Sequence, residues 1–149
     1  MIAILLLLCI VGIIVRIALG DSGLFQQGQK GEYIVSYVIK GESDEYKPYF
    51  TEGREFFLDS GERFGTLNSD ALLNPSQIYT ENAEGQYVIT PAPDGTVDFK
   101  GTALVSGIMT DSGFLLNSGT YIAPNMTLTV SNSDITVELT VTDITVKAQ

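Results

Sequence analysis

The chain has 149 residues, with 8 basic and 18 acidic side chains and a formal net charge of −10. Once residues 1–20 are set aside as a separate segment, this length is enough for one domain with a hydrophobic core. The negative charge repels phosphate backbones, so the composition argues against a nucleic-acid partner. The chain has no histidine, and its only cysteine is Cys9. An intramolecular disulfide is therefore excluded, and the rest of the chain lacks the commonest general base and any thiolate nucleophile.

Residues 1–20 are almost uniformly apolar, and Arg16 is their only charged side chain. As a helix this segment would be about 30 Å long, which matches the hydrocarbon core of a membrane. We therefore predict a single-pass transmembrane anchor in the lipid bilayer at 1–20, a linker at 21–31 and a domain outside the cytoplasm at 32–147. The predicted location is the cell membrane of a bacterium. A cleaved signal peptide is the alternative, since small residues precede Asp21, although no basic residue precedes the apolar run.

From residue 32 onwards the sequence alternates between apolar and polar side chains, as strands do. In residues 32–40 four apolar side chains share one face: Tyr33, Val35, Tyr37 and Ile39. The other face also carries Ile34 and Val38, so we expect this strand to be covered on both sides.

Glycine-containing turns separate the predicted strands. Residues 54–67 resemble a hairpin around Asp59-Ser60-Gly61, which fits a three-residue loop with glycine in the left-handed conformation. A Pro-Asp-Gly turn then introduces a strand over 96–109. Gly101 and Gly107 lie in the apolar phase of that strand and predict bulges.

Residues 126–146 show the clearest alternation, and its phase changes near Asp143, where we expect a bulge or a change of sheet. These patterns predict a mainly β fold, a small antiparallel β-barrel or sandwich preceded by one N-terminal transmembrane helix. Residues 49–58 and 121–130 share an aromatic start, a turn-prone centre and an apolar end. Two pseudo-twofold halves would produce this likeness, and so would two ordinary hairpin arms.

Acidic residues are plentiful around the first predicted hairpin, at Glu52, Glu55, Asp59 and Glu62. An enzyme acting on glycans would need two carboxyl groups at a fixed spacing, and no such spacing is evident in the sequence. We favour the simpler interpretation, in which these are solvated charges that protect a strand edge from aggregation. We therefore predict no catalytic residue, no metal ligand and no cofactor.

Aromatic residues are concentrated at 46–64, which holds six of the fourteen in the chain. Phe56 and Phe57 are adjacent, so in a strand they point to opposite faces. One would then lie in the core and the other could be exposed beside acidic residues, a combination suited to protein contact. We single out Phe56, Phe57 and Tyr49 as possible partner contacts. If the sheet is covered on both faces, both phenylalanines would be core residues instead.

Several segments together resemble a bacterial family. They are YIVSYVIKG at 33–41, YFTEGREFF at 49–57, GERFGTL at 61–67 and YIAPNMTLTV at 121–130. With these motifs the chain resembles the proteins grouped as domain of unknown function 4330, over nearly its whole length. The resemblance implies an anchored extracytoplasmic β domain and brings no catalytic residues. Gly53 matches the glycine expected before the first hairpin arm, whereas Asn125 stands where the second glycine is expected.

The predicted anchor, the β pattern and the missing catalytic residue types favour a non-catalytic assembly or adaptor module of the cell envelope. Its partner would be another envelope protein or a second copy of the chain. The alternatives are a carboxylate-dependent envelope enzyme acting on glycans, and a transport-associated barrel that oligomerises into a ring. An adaptor predicts an exposed apolar patch, an enzyme predicts a pocket with two acids, and a ring predicts a stable homo-oligomer.

Overall fold

The computed structural model of the protein describes residues 28–117 and 119–148. Within these residues the chain forms eleven strands and one 3-10 helix, Asp44–Tyr49. The strands are β1 (Gln29–Glu42), β2 (Glu55–Leu58), β3 (Arg63–Leu67), β4 (Leu72–Pro75), β5 (Gln77–Glu81), β6 (Tyr87–Pro91), β7 (Val97–Thr110), β8 (Gly113–Leu116), β9 (Thr120–Ile122), β10 (Thr127–Ser131) and β11 (Thr136–Val146).

Six of the described strands close into an antiparallel barrel. Their order is β1, β11, β10, β2, β3 and β7, and β7 returns to pair with β1. The β1–β7 ladder runs from Gln29 opposite Met109 to Glu42 opposite Val97. The fold is therefore mainly β, and its main sheet is a barrel rather than a sandwich.

The predicted transmembrane helix has to be corrected. In the described residues no helix is long and apolar enough to cross a membrane. The 3-10 helix has six residues, so at about 2.0 Å per residue it falls far short of the ~30 Å that a span requires. Residues 1–20, on which the prediction rested, lie outside the described residues.

The barrel has the pairing expected of two related halves. If β1 is exchanged with β7, β2 with β10 and β3 with β11, every strand pairing is preserved. The β1–β7 and β2–β10 pairs map onto themselves, because each joins the two halves. The β1–β11 pair maps onto β7–β3, and β2–β3 maps onto β10–β11.

Alternation along the strands produces the core. The predicted inner face of β1 is buried, as are alternating residues of β10 and β11: Tyr33, Val35, Tyr37, Ile39, Val130, Val137, Leu139 and Val141. The predicted irregularity near Asp143 is confirmed. Ser36 lies opposite Asp143 and Tyr37 opposite Val141, so Thr142 is an extra residue in β11.

The predicted bulges at Gly101 and Gly107 are wrong, because the β1–β7 register is unbroken from Met109 to Phe99. Both glycines instead leave room for aromatic side chains. A Cβ on Gly101 would lie 2.6 Å from the Tyr37 hydroxyl oxygen, and one on Gly107 would overlap the ring of Phe114.

The predicted hairpin over 54–67 is confirmed as β2 and β3. Leu58 N donates a hydrogen bond to Glu62 O at 2.8 Å, which closes the three-residue loop. Gly61 in that loop has a φ of 80°, the left-handed conformation that its position requires.

Candidate functional site

The structure separates the three predicted contact residues. Phe56 is 2% exposed, and its ring stacks on Phe50 with centroids 5.7 Å apart and planes 3° from parallel. Phe57 points to the opposite face and is 37% exposed. Tyr49 is half-buried and meets Tyr46 edge to face at 6.2 Å. Phe56 therefore belongs to the core, while partner contact through Phe57 and Tyr49 stays a prediction.

Two of the four acidic residues around the first hairpin, Glu55 and Glu62, form side-chain contacts. Glu55 forms an ion pair with Arg63 at 2.7 Å. Glu62 accepts hydrogen bonds from Asn117 Nδ2 at 3.0 Å and from Thr120 Oγ1 at 2.5 Å, joining the β2–β3 loop to the residue that follows β8 and to the start of β9. In residues 28–117 and 119–148 no three or more acidic, histidine or cysteine side chains are placed to hold a metal ion.

A more distinctive feature is a hairpin that leaves the barrel, formed by β5, β6 and their turn (residues 77–91, called the arm below). It continues the ladder in which Asn74 of β4 faces Asp98 of β7. In the arm, Gln77 faces Pro91. The chain advances three residues from Asn74 to Gln77 but seven from Pro91 to Asp98, so the second strand has four extra residues. The four extra residues form the turn 92–95, and beyond it β5 and β6 form a two-stranded sheet separate from the main sheet.

Hydrogen bonds hold this turn and give it its shape. Gly95 has a φ of 74°, and its N–H donates to Ala92 O at 3.2 Å. The Asp94 carboxylate accepts from Thr96 N at 3.1 Å and from Thr96 Oγ1 at 2.9 Å. These hydrogen bonds stabilise the charged carboxylate and lower the pKa of Asp94.

The base of the arm is fastened to the barrel at Ser76, which is 7% exposed. Its hydroxyl donates to Asp98 Oδ1 at 2.5 Å, and Gly41 N donates to the same oxygen at 3.1 Å. Because Gly41 belongs to β1 and Asp98 to β7, the carboxylate ties both strands to the start of the arm.

Beyond this base the arm is solvated. No residue of 77–91 is buried. Its exposed apolar side chains are Ile78 (37%), Tyr79 (74%), Tyr87 (75%), Val88 (37%) and Ile89 (56%). The register places Tyr79, Tyr87 and Ile89 on one face of the arm and Ile78 and Val88 on the other. Single exposed apolar residues are ordinary, whereas several on one face mark a contact surface. A two-stranded hairpin is at best marginally stable alone in water, so covering these side chains would stabilise the arm.

A cleft of about 870 Å³ lies between the arm and the outer wall of the barrel. Its apolar lining includes Ile78, Tyr79 and Ile89 from the arm and Val38 from β1. Tyr37 and Ile39 point into the core, so Val38 between them points outward from the barrel. Val38 is nevertheless only 8% exposed. The lining also includes the charged residues Lys40, Lys100, Asp94 and Asp98, so the cleft offers apolar and charged groups side by side.

No secondary-structure element was predicted for residues 77–91. The signal was nevertheless present, because IYTE and YVIT are β-branched and aromatic runs that flank an Asn-Ala-Glu-Gly turn. Asn82 Oδ1 closes this turn by accepting from Glu84 N at 3.1 Å and Gln86 N at 2.9 Å. The exposure of the arm could not be read from that pattern, since apolar residues in a strand normally indicate core.

No family model, curated protein or solved structure matches this chain. The resemblance to domain of unknown function 4330 therefore stays a prediction based on the motifs quoted above.

Proposed function

We propose that this protein is a non-catalytic binding module, in which the barrel is the scaffold and the arm binds a partner protein. The observation that carries this proposal is the group of five exposed apolar side chains on a hairpin with no buried residue. They do little for the stability of the barrel, so their apolar character is better explained by a partner.

The composition of the arm supports protein contact. Tyr79 and Tyr87 are about three-quarters exposed, and tyrosine is enriched in the energetically dominant parts of interfaces. Tyrosine buries a large area while losing little rotamer entropy. The base at Ser76 is fixed by hydrogen bonds, so the arm is presented in a defined position and binding requires less ordering.

The other predicted functions stay predictions. They are a carboxylate-dependent enzyme and a ring-forming barrel, together with a location at the cell membrane and outside the cytoplasm. The binding proposal depends on none of them, because it rests on residues 72–98 alone.

Photo-cross-linking of the full-length chain in its native cells tests the proposal. A photoreactive phenylalanine analogue replaces Tyr79 or Tyr87 in the arm, or Tyr121 and Phe57 as exposed control sites elsewhere on the domain. We expect one discrete product from the arm sites, identified by mass spectrometry. A matched variant combines the probe at position 87 with Ile89→Thr. It should lose that product, because the substitution removes apolar surface next to the probe.

The control sites separate the alternatives. A product at Phe57 and not at the arm would overturn the proposal in favour of the contact predicted from the sequence. A product of twice the chain's mass from every site would favour the ring. Absence of any product from the arm, with the tagged protein present at its normal level, would also overturn the proposal.

A further inference from the structure

The β5 strand of the arm presents an open backbone edge. Hydrogen bonds lie at both ends of the hairpin, from Ala92 N to Ser76 O at 2.7 Å and from Asn82 N to Gln86 O at 2.8 Å. Hydrogen-bonded and non-hydrogen-bonded pairs alternate along an antiparallel ladder, so every second residue of β5 points its N–H and C=O away from β6. These outward-pointing residues are Gln77, Tyr79 and Glu81.

This edge borders the cleft. The consecutive residues 76–79 all line it, whereas β6 contributes only Ile89. Side chains of a strand alternate between faces, so an unbroken run of lining residues means that the backbone edge itself faces the space. Within the described residues β5 and β6 form a sheet of two strands, and nothing else pairs with β5. The β6 edge is less suited to pairing, because Pro91 occupies one of its outward positions without an N–H.

The cleft also contains two lysines. Lys40 and Lys100 both line it and are exposed. In the described residues neither forms an ion pair, whereas Arg54, Arg63 and Lys147 each pair with a carboxylate. Asp94 and Asp98 line the cleft as well, and each carboxylate already accepts hydrogen bonds, Asp94 from Thr96 and Asp98 from Gly41 and Ser76. The two lysines are therefore the charged groups of the cleft without a partner in the described residues, and beside an open strand edge they favour a guest that brings a carboxylate.

We propose that the cleft binds an extended acidic peptide segment of the partner by strand addition to β5. Main-chain hydrogen bonds would form with Gln77 and Tyr79, and apolar side chains of the peptide would contact the exposed side chains of Tyr79 and Ile89. An acidic side chain of the peptide would lie between Lys40 and Lys100. This inference rests on the proposed function and names the chemistry of its partner.

The test selects ligands for the full-length chain from a phage-displayed library of random eight-residue peptides. The Lys40→Gln/Lys100→Gln double variant, in which both changes are at exposed positions, is used for counter-selection. We expect the enriched peptides to combine Asp or Glu with β-branched and aromatic residues. Their affinity for the double variant should be lower by about two- to thirtyfold, as expected for two solvent-accessible charge pairs.

Amide hydrogen exchange then reports the mode of binding. With a synthetic enriched peptide bound, the amides of Gln77, Tyr79 and Glu81 should exchange more slowly. The amides of Ile78 and Thr80 should change little, because they already donate to β6. Tyr79→Pro should weaken binding about two- to tenfold relative to Tyr79→Ala, since it removes one outward N–H. The matched pair Ile89→Pro and Ile89→Ala, on the other edge, should not differ.

The outcomes that would contradict strand addition of an acidic peptide can be told apart. No enrichment, or enriched peptides that bind the double variant equally well, would overturn the acidic-strand proposal. The outward amides could instead exchange more slowly when the protein concentration is raised without peptide. In that case the strand that pairs with β5 would come from a second copy of the chain. If the arm cross-links to a partner but selects no peptide, the proposed function stands and strand addition does not.

Discussion

Gly53 and Asn125 have equivalent positions in the two halves of the barrel. Their φ values are 81° and 68°, both in the left-handed region. Gly53 N donates to Leu67 O at 2.9 Å, and Asn125 N donates to Val141 O at 2.7 Å. The same loop conformation therefore precedes β2 and β10, although only the first loop carries the glycine that this conformation favours.

Substitution at Asn125 should reveal this conformational demand. Asn125→Ala should lower the free energy of unfolding by about 1 kcal/mol, because alanine disfavours positive φ. Asn125→Gly should stay within about 0.5 kcal/mol of the wild type, since glycine adopts this φ without strain. Urea denaturation of the full chain measures both. At the exposed control position Asn68, the glycine variant should not be more stable than the alanine variant. Equal effects of alanine and glycine at position 125 would contradict the prediction.

The Tyr37 hydroxyl is buried and has no hydrogen-bond partner within the described residues. An unsatisfied buried polar group costs about 1–3 kcal/mol, so Tyr37→Phe should raise the free energy of unfolding by about 1 kcal/mol at pH 7. Tyr33→Phe is the matched control, because the Tyr33 hydroxyl donates to Gln29 O at 2.5 Å. That substitution should be neutral or destabilising. A loss of stability in Tyr37→Phe would show that the hydroxyl has a partner.

At alkaline pH the difference in free energy of unfolding between Tyr37→Phe and the wild type should increase. Burial raises the pKa of Tyr37 in the folded protein, whereas in the unfolded chain it ionises near its ordinary value of about 10. The unfolded state therefore loses a proton first, and stability falls as the pH rises above about 10. At pH 11 the advantage of Tyr37→Phe should have grown by about 1.4 kcal/mol. Denaturation at pH 8 and pH 11 measures it, and a constant difference would contradict the burial.

Gly101 and Tyr37 should be energetically coupled. A Cβ at position 101 would lie 2.6 Å from the Tyr37 hydroxyl oxygen and 2.9 Å from Cζ, so Gly101→Ala should destabilise the barrel by about 1–3 kcal/mol. Adding Tyr37→Phe should recover part of this loss, because the nearest atom is removed. A double-mutant cycle measures the coupling. Gly119→Ala is the control, since its Cβ would meet nothing within 4 Å, and additive effects of the pair would refute the contact.

Arm substitutions should leave stability almost unchanged. Tyr79→Thr and Ile89→Thr place a residue of high β propensity at each position and remove exposed apolar surface, so each should alter the free energy of unfolding by less than about 0.5 kcal/mol. Phe99→Ala in the core, at 0% exposure, should cost about 3–5 kcal/mol. Thermal and urea denaturation compare them. If the arm variants were as destabilising as the core variant, the arm would be structural rather than a binding surface.

Alternation within single strands was sufficient to predict several elements correctly. The buried face of β1, the β2–β3 hairpin and the irregularity near Asp143 all follow from side-chain period and local turn chemistry. Gly101 and Gly107 were misinterpreted because a glycine in a strand can mark either a bulge or a large neighbour. Only the position of Tyr37 and Phe114 across the ladder distinguishes the two.

The sequence by itself determined that this protein would be mainly β and that its described domain would lack histidine and cysteine chemistry, since both follow from residue types and local periodicity. Barrel closure was decided only by the tertiary structure, because it depends on β7 returning to β1 after a long stretch of chain. The tertiary structure also decided that Phe56 is buried while Tyr79 is exposed. Both residues lie in apolar strand sequences, and what separates them is whether another layer of the protein packs against the strand.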